Sequence, residues 1–301
     1  MHPRSREEVD RALRLAWPRR RFREVHAAGA GTTGQVFRAW TEAWGRVAIK
    51  VSPAGIWGNV NDRPKDWRAV LTQEAELLED VRAHGLPAPH AIAVGEAAGL
   101  VMLVMEWIDA DGSVVPSREL GRLCARLHLL PVPGLRLVEQ DQETVELTVA
   151  RRIEMRLEGL RQLTGEAVLS PGRTERVVLA VTNPSRSRPS LLHLDFRPAN
   201  LLSRDGTVVA MIDWANALAF EPALELARIE QAGLLSADFL AGYRELTPVP
   251  VVEPLRYLAF RLDAALMLAL VFLLEAPDQR LALEELDRVR DLCARIEAFD
   301  G

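Results

Sequence analysis

The stretch His193-Leu194-Asp195-Phe196-Arg197-Pro198-Ala199-Asn200, followed by Met211-Ile212-Asp213-Trp214, gathers the residues of this chain best suited to chemistry. An aspartate and an asparagine on one loop, with a second aspartate at the end of a returning strand, put three polar groups at one mouth. Asp195 is placed to orient a hydroxyl and accept its proton. Asn200 and Asp213 offer oxygen atoms of the kind that hold Mg2+. Phosphoryl transfer asks for such a set, because it needs positioning and charge stabilisation more than covalent chemistry from the protein. Taken singly, each residue has a plainer reading: Asp195 as a turn former, Asn200 as a strand-start cap, Asp213 as a helix N-cap.

Two upstream elements strengthen the chemical reading. Gly29-Ala30-Gly31-Thr32-Thr33-Gly34-Gln35-Val36 fits G-x-G-x-x-G-x-V. In that pattern Gly29, Gly31 and Gly34 let a strand–turn–strand bring backbone N–H groups onto phosphate oxygens. Alone, the motif is weak. Val47-Ala48-Ile49-Lys50 follows at the distance of the next strand. Of the 37 basic side chains only Lys50 and Lys65 are lysines, so a compact ammonium is specifically wanted at Lys50 rather than a guanidinium. It can reach nucleotide phosphates if a carboxylate holds it. Glu74 is the natural holder, although Glu76 and Glu79 lie on the same predicted helix.

The elements that must position these groups divide the chain. Residues 5–17 read as an amphipathic helix. From Phe22 to Met105 short strands and turns dominate, with one helix over RAVLTQEAELLEDVRAHG, ending at a glycine. GLVMLVMEW is a continuous apolar run, read as a buried strand. The Gly-, Pro- and Asn-rich stretch from Ser52 to Trp67 reads as a loop, either a lid or a disordered surface insertion. Beyond Asp109 long helical patterns take over, interrupted by a hairpin that turns at Asp205-Gly206. The expected fold is α+β and two-lobed. A small antiparallel-sheet lobe with its leading helix spans 1–106, and a larger mainly helical lobe spans 107–301.

Composition sets limits on partners. The formal net charge is −5, with no basic stretch interleaved with aromatics, so nucleic acid is not an expected partner. Residues 1–106 carry 15 basic and 13 acidic side chains, a net of +2, against −7 for the remainder. That division fits a phosphate-binding lobe and an acidic lobe facing a cationic substrate, or else solvated surface charge. The apolar run Ala264–Leu274 is about half of what a membrane span needs, and reads as a core helix. Two distant cysteines, Cys124 and Cys293, form no disulfide framework, and the charged N-terminus is no signal peptide. A reducing cytoplasm is expected.

The order of these motifs resembles the protein-kinase-like fold, and in detail its aminoglycoside phosphotransferase and choline kinase branch. HLDFRPAN is close to the branch's HGDxxxxN, and its IDW appears unchanged at Ile212–Trp214. QEAELLEDVRAHGLPAPHAIAV, LVMEWIDADG, LGRLCARLHLLP and EPALELARI are similar to family segments, so the resemblance covers roughly residues 22–231. It implies Asp195 as catalytic base, Asn200 and Asp213 as Mg2+ ligands, and Lys50 with Glu74 as the phosphate-positioning pair. It also implies ATP as donor, with adenine against the backbone of Glu106, Trp107 and Ile108; GTP in its place is left open. Leu194 departs from the family's usual glycine, which would stiffen or reshape the loop. Arg197 stands where the small-molecule kinases often have His, either to stabilise the transferring phosphoryl group or as a structural ion-pair partner. His193 reads as a loop anchor and His128 as a packing residue.

No segment of protein-kinase length follows Asp213, which argues against a protein substrate. The expected reaction is phosphoryl transfer to a hydroxyl of a small polar molecule, a metabolite or antibiotic. The acceptor would sit among C-terminal helices near acids such as Glu154, Glu158 or Glu230. The competing reading is a pseudokinase or scaffold that binds nucleotide without turnover. Its mark would be a missing motif residue, and none of the five is missing.

Overall fold

The run Leu100–Glu106 is apolar at every position but its last because both of its faces are covered. In the computed structural model, which describes residues 4–30, 34–132, 134, 144–183 and 187–299, it forms the strand next to the edge of a five-stranded antiparallel sheet. In chain order the sheet region comprises α1 (Arg6–Ala16), β1 (Arg23–Ala30), β2 (Gln35–Thr41), β3 (Gly45–Pro53), β4 (Ile56–Trp57), β5 (Lys65–Asp66), α2 (Trp67–Ala83), β6 (Ala91–Ala97) and β7 (Leu100–Glu106). The sheet order is β1-β2-β3-β7-β6, with β4 and β5 forming a separate small ribbon.

Alternation along the strands decides what each face meets. Val47, Ile49 and Val51 of β3, with Leu100, Met102 and Val104 of β7, pack under Val9 and Leu13 of α1. Ala48 of β3, with Val101, Leu103 and Met105 of β7, packs on the opposite face against α2. Lys50 is in phase with Ala48, so the register delivers it to that inner face. Ser5 and Glu8 close a capping box that starts α1, as the amphipathic pattern predicts.

The helical region follows as α3 (Ser117–His128), α4 (Val145–Thr164), α5 (Pro171–Thr182), β8 (Ser190–Leu192), β9 (Leu201–Arg204), β10 (Thr207–Met211), β11 (Leu218–Phe220), α6 (Pro222–Gln231), α7 (Ala237–Arg244), α8 (Pro254–Leu270) and α9 (Gln279–Glu297). β9 and β10 form the hairpin expected at Asp205-Gly206. Both turn residues have positive φ, 52° and 73°, as a two-residue hairpin turn demands. The apolar run lies in α8 and its π-helical extension, Val271–Glu275. Pro254–Glu275 is long and apolar enough to cross a membrane, yet 56% of its most apolar window is buried inside the protein.

The Ser52–Trp67 stretch is neither a free lid nor a disordered insertion among the described residues. β4 and β5 pair through Ile56–Asp66 and Trp57–Lys65, and Trp57 stacks on Trp67 with ring centroids 4.3 Å apart. At its tip Asn61 donates to Met267 O at 3.2 Å and to Glu275 Oε1 at 2.9 Å, which ties the insertion to α8 and its extension.

Helices α3 and α7 cross at backbone contact. A Cβ on Gly121 would lie 1.9 Å from Phe239 O, and one on Gly242 would lie 1.9 Å from Arg118 O. Each glycine therefore holds a position that alanine cannot occupy without parting the helices. Gly121→Ala is expected to cost about 1–3 kcal/mol by overpacking and to lower the thermal midpoint by roughly 2–10 °C. An unchanged melting curve would show that the crossing is not constrained.

Candidate active site

Lys50 is buried, and its Nζ lies 2.6 Å from Glu74 Oε2 of α2 and 2.6 Å from Asp213 Oδ1, just beyond β10. Burial alone would favour the neutral amine, but the carboxylates of Asp213 and Glu74 outweigh it and hold Lys50 above the ordinary lysine range. Burial pushes the Glu74 carboxyl up; Lys50 opposes that and Asp213 adds to it. Lys50 draws Asp213 below the ordinary carboxylate range against the effect of burial. Glu74 also accepts the Trp214 N–H at 3.2 Å. Of the three acids on α2, only Glu74 reaches the lysine. Glu76 is exposed, and Glu79 holds the His90 ring and the Ala91 N–H. Removing one member of such a buried pair typically costs about 3–5 kcal/mol, because the other charge is left uncompensated.

The loop from His193 to Asn200 is held by a residue that the sequence reading did not single out. Glu225 of α6 is fully buried and accepts the N–H groups of His193 and Leu194, at 3.0 and 2.7 Å. His128 of α3 approaches it through Nε2 at 3.2 Å, while His128 Nδ1 meets Tyr243 OH of α7 at 2.8 Å. His128 is thus part of a polar chain that runs from the α3–α7 crossing to the loop. The Asp195 N–H donates to His193 Nδ1 at 3.2 Å, so His193 carries its proton on Nε2 and donates it to Ile212 O at 3.0 Å. That bond ties the Asp195 loop to the strand leading to Asp213.

Leu194 and Asp213 both adopt left-handed backbone, with φ of 61° and 67°. For a residue with a side chain this conformation costs about 1–2 kcal/mol. Leu194 is 1% exposed within the helical core, and burying a leucine side chain contributes about 1.5–3 kcal/mol. The two terms offset each other, so leucine occupies a conformation that glycine adopts freely.

Asp195 sits at the centre of this loop. Asn200 Nδ2 donates to Asp195 Oδ2 at 2.6 Å and to Asp195 O at 3.0 Å, and Arg197 Nε lies 2.8 Å from Asp195 Oδ1. Arg197 is therefore a direct partner of Asp195, and its side chain remains 55% exposed. Asp195, Arg197 and Asp213 all line one cavity of about 440 Å³. Lys50, Glu74, Asn200 and Asp213 thus gather around the same mouth as Asp195.

Other expected residues lie elsewhere or serve differently. A Cβ on Gly34 would lie 2.8 Å from Val51 O, so the close approach of β3 requires glycine there; around Gly29 the space is open. Gly31 lies outside the described residues. Glu106 ends β7 and its N–H donates to His90 O; the Trp107 N–H donates to Arg46 O, while the Ile108 N–H has no partner among the described residues. The acids expected near an acceptor do not meet Asp195. Glu154 and Glu158 line a separate cavity, and Glu230 is engaged by Tyr257 and Arg261. The cavity beside Asp195 is instead rich in Arg and Lys. Glu225, Arg228 and Asp263 carried one legible signal, an ionisable residue with apolar neighbours on both sides in sequence, which points to a buried partner.

The sequence matches the phosphotransferase enzyme family over residues 24–247. The chain belongs to that family. No curated protein matches the sequence. Solved structures place the fold among protein-kinase-like phosphotransferases. A protein from Haemophilus somnus 129PT described as a fructosamine-3-kinase superposes with a TM-score of 0.69 at 15% identity, covering 96% of this chain and 97% of its own. A thermostable variant of aminoglycoside phosphotransferase APH(4)-Ia, in ternary complex with AMP-PNP and hygromycin B, gives 0.63 at 14% identity and covers 96% and 97%. Macrolide 2'-phosphotransferase type I gives 0.59 at 15%, covering 96% and 99%.

The Glu225 clamp has a pH signature. Burial works to raise its carboxyl, but His128, and then His193 with its N–H, hold it below the ordinary carboxylate range. A carboxyl with a lower pKa in the folded than in the unfolded state stabilises fully above the unfolded value. It loses that contribution as pH falls through the folded one. Glu225→Gln is therefore expected to lower the thermal midpoint at pH 7, by about 2–4 kcal/mol of stability. The deficit against wild type should narrow below about pH 4. A deficit that stays constant down to pH 3 would show that the charge on Glu225 is not what holds the loop.

Proposed function

We propose that this phosphotransferase is a small-molecule kinase that moves the γ-phosphate of ATP to a hydroxyl of a small polar metabolite or antibiotic. The observation that carries this reading is the convergence of the Lys50–Glu74–Asp213 network and the Asp195–Asn200 loop on one mouth. Residues 1–106, with Gly29, Gly31 and Gly34, serve as the nucleotide-binding lobe. Residues 107–301 supply the catalytic loop and the acceptor cavity. Adenine is read by the backbone from Glu106 through Trp107 to Ile108, where the unpartnered Ile108 N–H is the available donor.

Within this reading Asp195 orients the acceptor hydroxyl and takes its proton. A carboxylate has about four lone-pair sites, so the contacts from Asn200 and Arg197 fix its orientation and still leave room for that proton. Lys50, kept cationic by two carboxylates, faces the phosphates. Arg197 supplies positive charge where the phosphoryl group passes.

The donor set also fits Mg2+, which takes carboxylate and amide oxygens along with phosphate oxygens and water. Asp213 Oδ2 and Asn200 Oδ1 accept no hydrogen bond from the described residues, so both oxygens are available to it. When bound, the ion would neutralise charge on the phosphates.

The test is nucleotide consumption with Mg2+ across hydroxyl compounds, including aminoglycosides, macrolides, choline, homoserine and sugars, with ATP and GTP in parallel. For the compound that stimulates turnover, Asp195→Asn should lower kcat by about 10²–10⁴-fold, the usual contribution of a general base, and leave nucleotide binding intact. Full turnover in Asp195→Asn, or no binding of Mg2+–nucleotide by the wild type, would overturn this reading.

A further inference from the structure

One face of α6 grips the residue ahead of Asp195 at both of its backbone ends. Glu225 and Arg228 stand three residues apart, the spacing that puts two side chains on the same side of a helix. Glu225 accepts the Leu194 N–H at 2.7 Å, and Arg228 Nη1 donates to Leu194 O at 2.8 Å. That carbonyl belongs to the peptide that joins Leu194 to Asp195. The N–H of the same peptide donates to His193 Nδ1 at 3.2 Å. The plane from which the Asp195 side chain springs is therefore held at both edges, by an arginine on one and a histidine on the other.

Leu194 needs such a hold. Its φ of 61° is one that a side chain disfavours. Burial of the leucine side chain offsets that cost, but it does not set ψ, the rotation that decides where the following carbonyl points. The hydrogen bond from Arg228 does. Arg228 is itself anchored: its side chain is 9% exposed, and Nη2 lies 3.1 Å from Asp263 Oδ2 of α8. The other oxygen of Asp263 accepts from Arg156 Nη1 of α4. Burial works to raise the Asp263 carboxyl, but Arg156 and then Arg228 hold it below the ordinary carboxylate range, so it stays ionised. Arg156 Nε in turn donates to Asn61 O at 3.2 Å, at the tip of the β4–β5 ribbon. One carboxylate thus joins α4, α6 and α8, and Arg228 links that junction to the loop.

We propose that Arg228 is a positioning residue for phosphoryl transfer: by holding the Leu194 carbonyl it fixes the peptide that carries Asp195, and Asp263 is the carboxylate that keeps it there. This rests on the kinase reading above for what Asp195 does, and deepens it. Glu225 secures the loop through its N–H groups; Arg228 secures the direction in which the Asp195 carboxylate leaves it.

The experiment measures hydrogen exchange at single amides of the full chain without nucleotide. In Arg228→Gln the Asp195 amide should exchange faster by about tenfold or more, the factor that loss of one charge-assisted hydrogen bond produces. Asp263→Asn, which keeps the shape but not the charge that anchors Arg228, should speed it in the same direction. Leu13→Ala in α1, which removes buried packing on the far face of the sheet, is the control for general loss of stability and should leave the Asp195 amide unchanged. With the compound that stimulates turnover, Arg228→Gln should lower kcat by about tenfold to a hundredfold and leave KM for Mg2+–ATP unchanged. If the Asp195 amide exchanges as in the wild type in Arg228→Gln, or in Asp263→Asn should the first variant not fold, the assignment is overturned. It is overturned too if Leu13→Ala speeds that amide by the same factor, or if kcat is unchanged in a variant whose Asp195 amide is freed. Exchange is read without turnover, so a wild type that fails to bind Mg2+–nucleotide removes the kinase reading and leaves the grip on Asp195 to be decided by exchange alone.

Discussion

A single ammonium, buried on the inner face of the sheet, sets the relation between the two halves of this molecule. Lys50 comes from β3, Glu74 from α2 and Asp213 from the end of the β9–β10 hairpin, and the three meet within 2.6 Å contacts. The Lys50 and Glu74 charges are not tolerable alone at that depth, and Asp213 at the cavity edge adds a third contact, so the three elements are tied together. The Trp214 N–H on Glu74 and the His193 bond to Ile212 O extend the constraint to the Asp195 loop. The position of Asp195 therefore follows from a charge balance made elsewhere.

The second support of that loop is of a different kind. Glu225 holds two consecutive backbone N–H groups, and is itself addressed by a histidine whose other nitrogen meets a tyrosine on α7. Because α3 and α7 touch backbone to backbone, this chain of contacts has little slack. Leu194 adds an apolar anchor from within the loop, and its packing offsets its unfavourable φ.

Much of this arrangement was legible in the sequence because it rests on local patterns. A continuous apolar run announced β7, a Gly stop ended α2, and Asp205-Gly206 announced the hairpin. Motif order alone brings Lys50, Asp195, Asn200 and Asp213 together. What stayed hidden depends on contacts between distant segments. Glu74, Glu76 and Glu79 could not be separated by spacing, since only the docking of α2 decides which one faces Lys50. Glu225 and the Arg156–Asp263–Arg228 cluster join α4, α6 and α8, and no local pattern encodes such a junction. The insertion after β3 was misread from its Gly, Pro and Asn content, which also suits a tightly turned and well-packed ribbon.

That ribbon has a wider consequence. Asn61 springs from the sheet region but closes on Met267 and Glu275, and Arg156 holds its carbonyl. One part of the lining of the cavity beside Asp195 is thus carried by the insertion from the sheet and another part by α8. Any change in the angle between the halves must alter the volume of that cavity, and any occupant touching both parts must resist such a change. Occupancy of the cavity and the angle between the insertion and the helices are then two readouts of one equilibrium. By thermodynamic reciprocity, whatever closes the sheet region onto the helices raises the affinity of the cavity by the same factor with which an occupant favours closure.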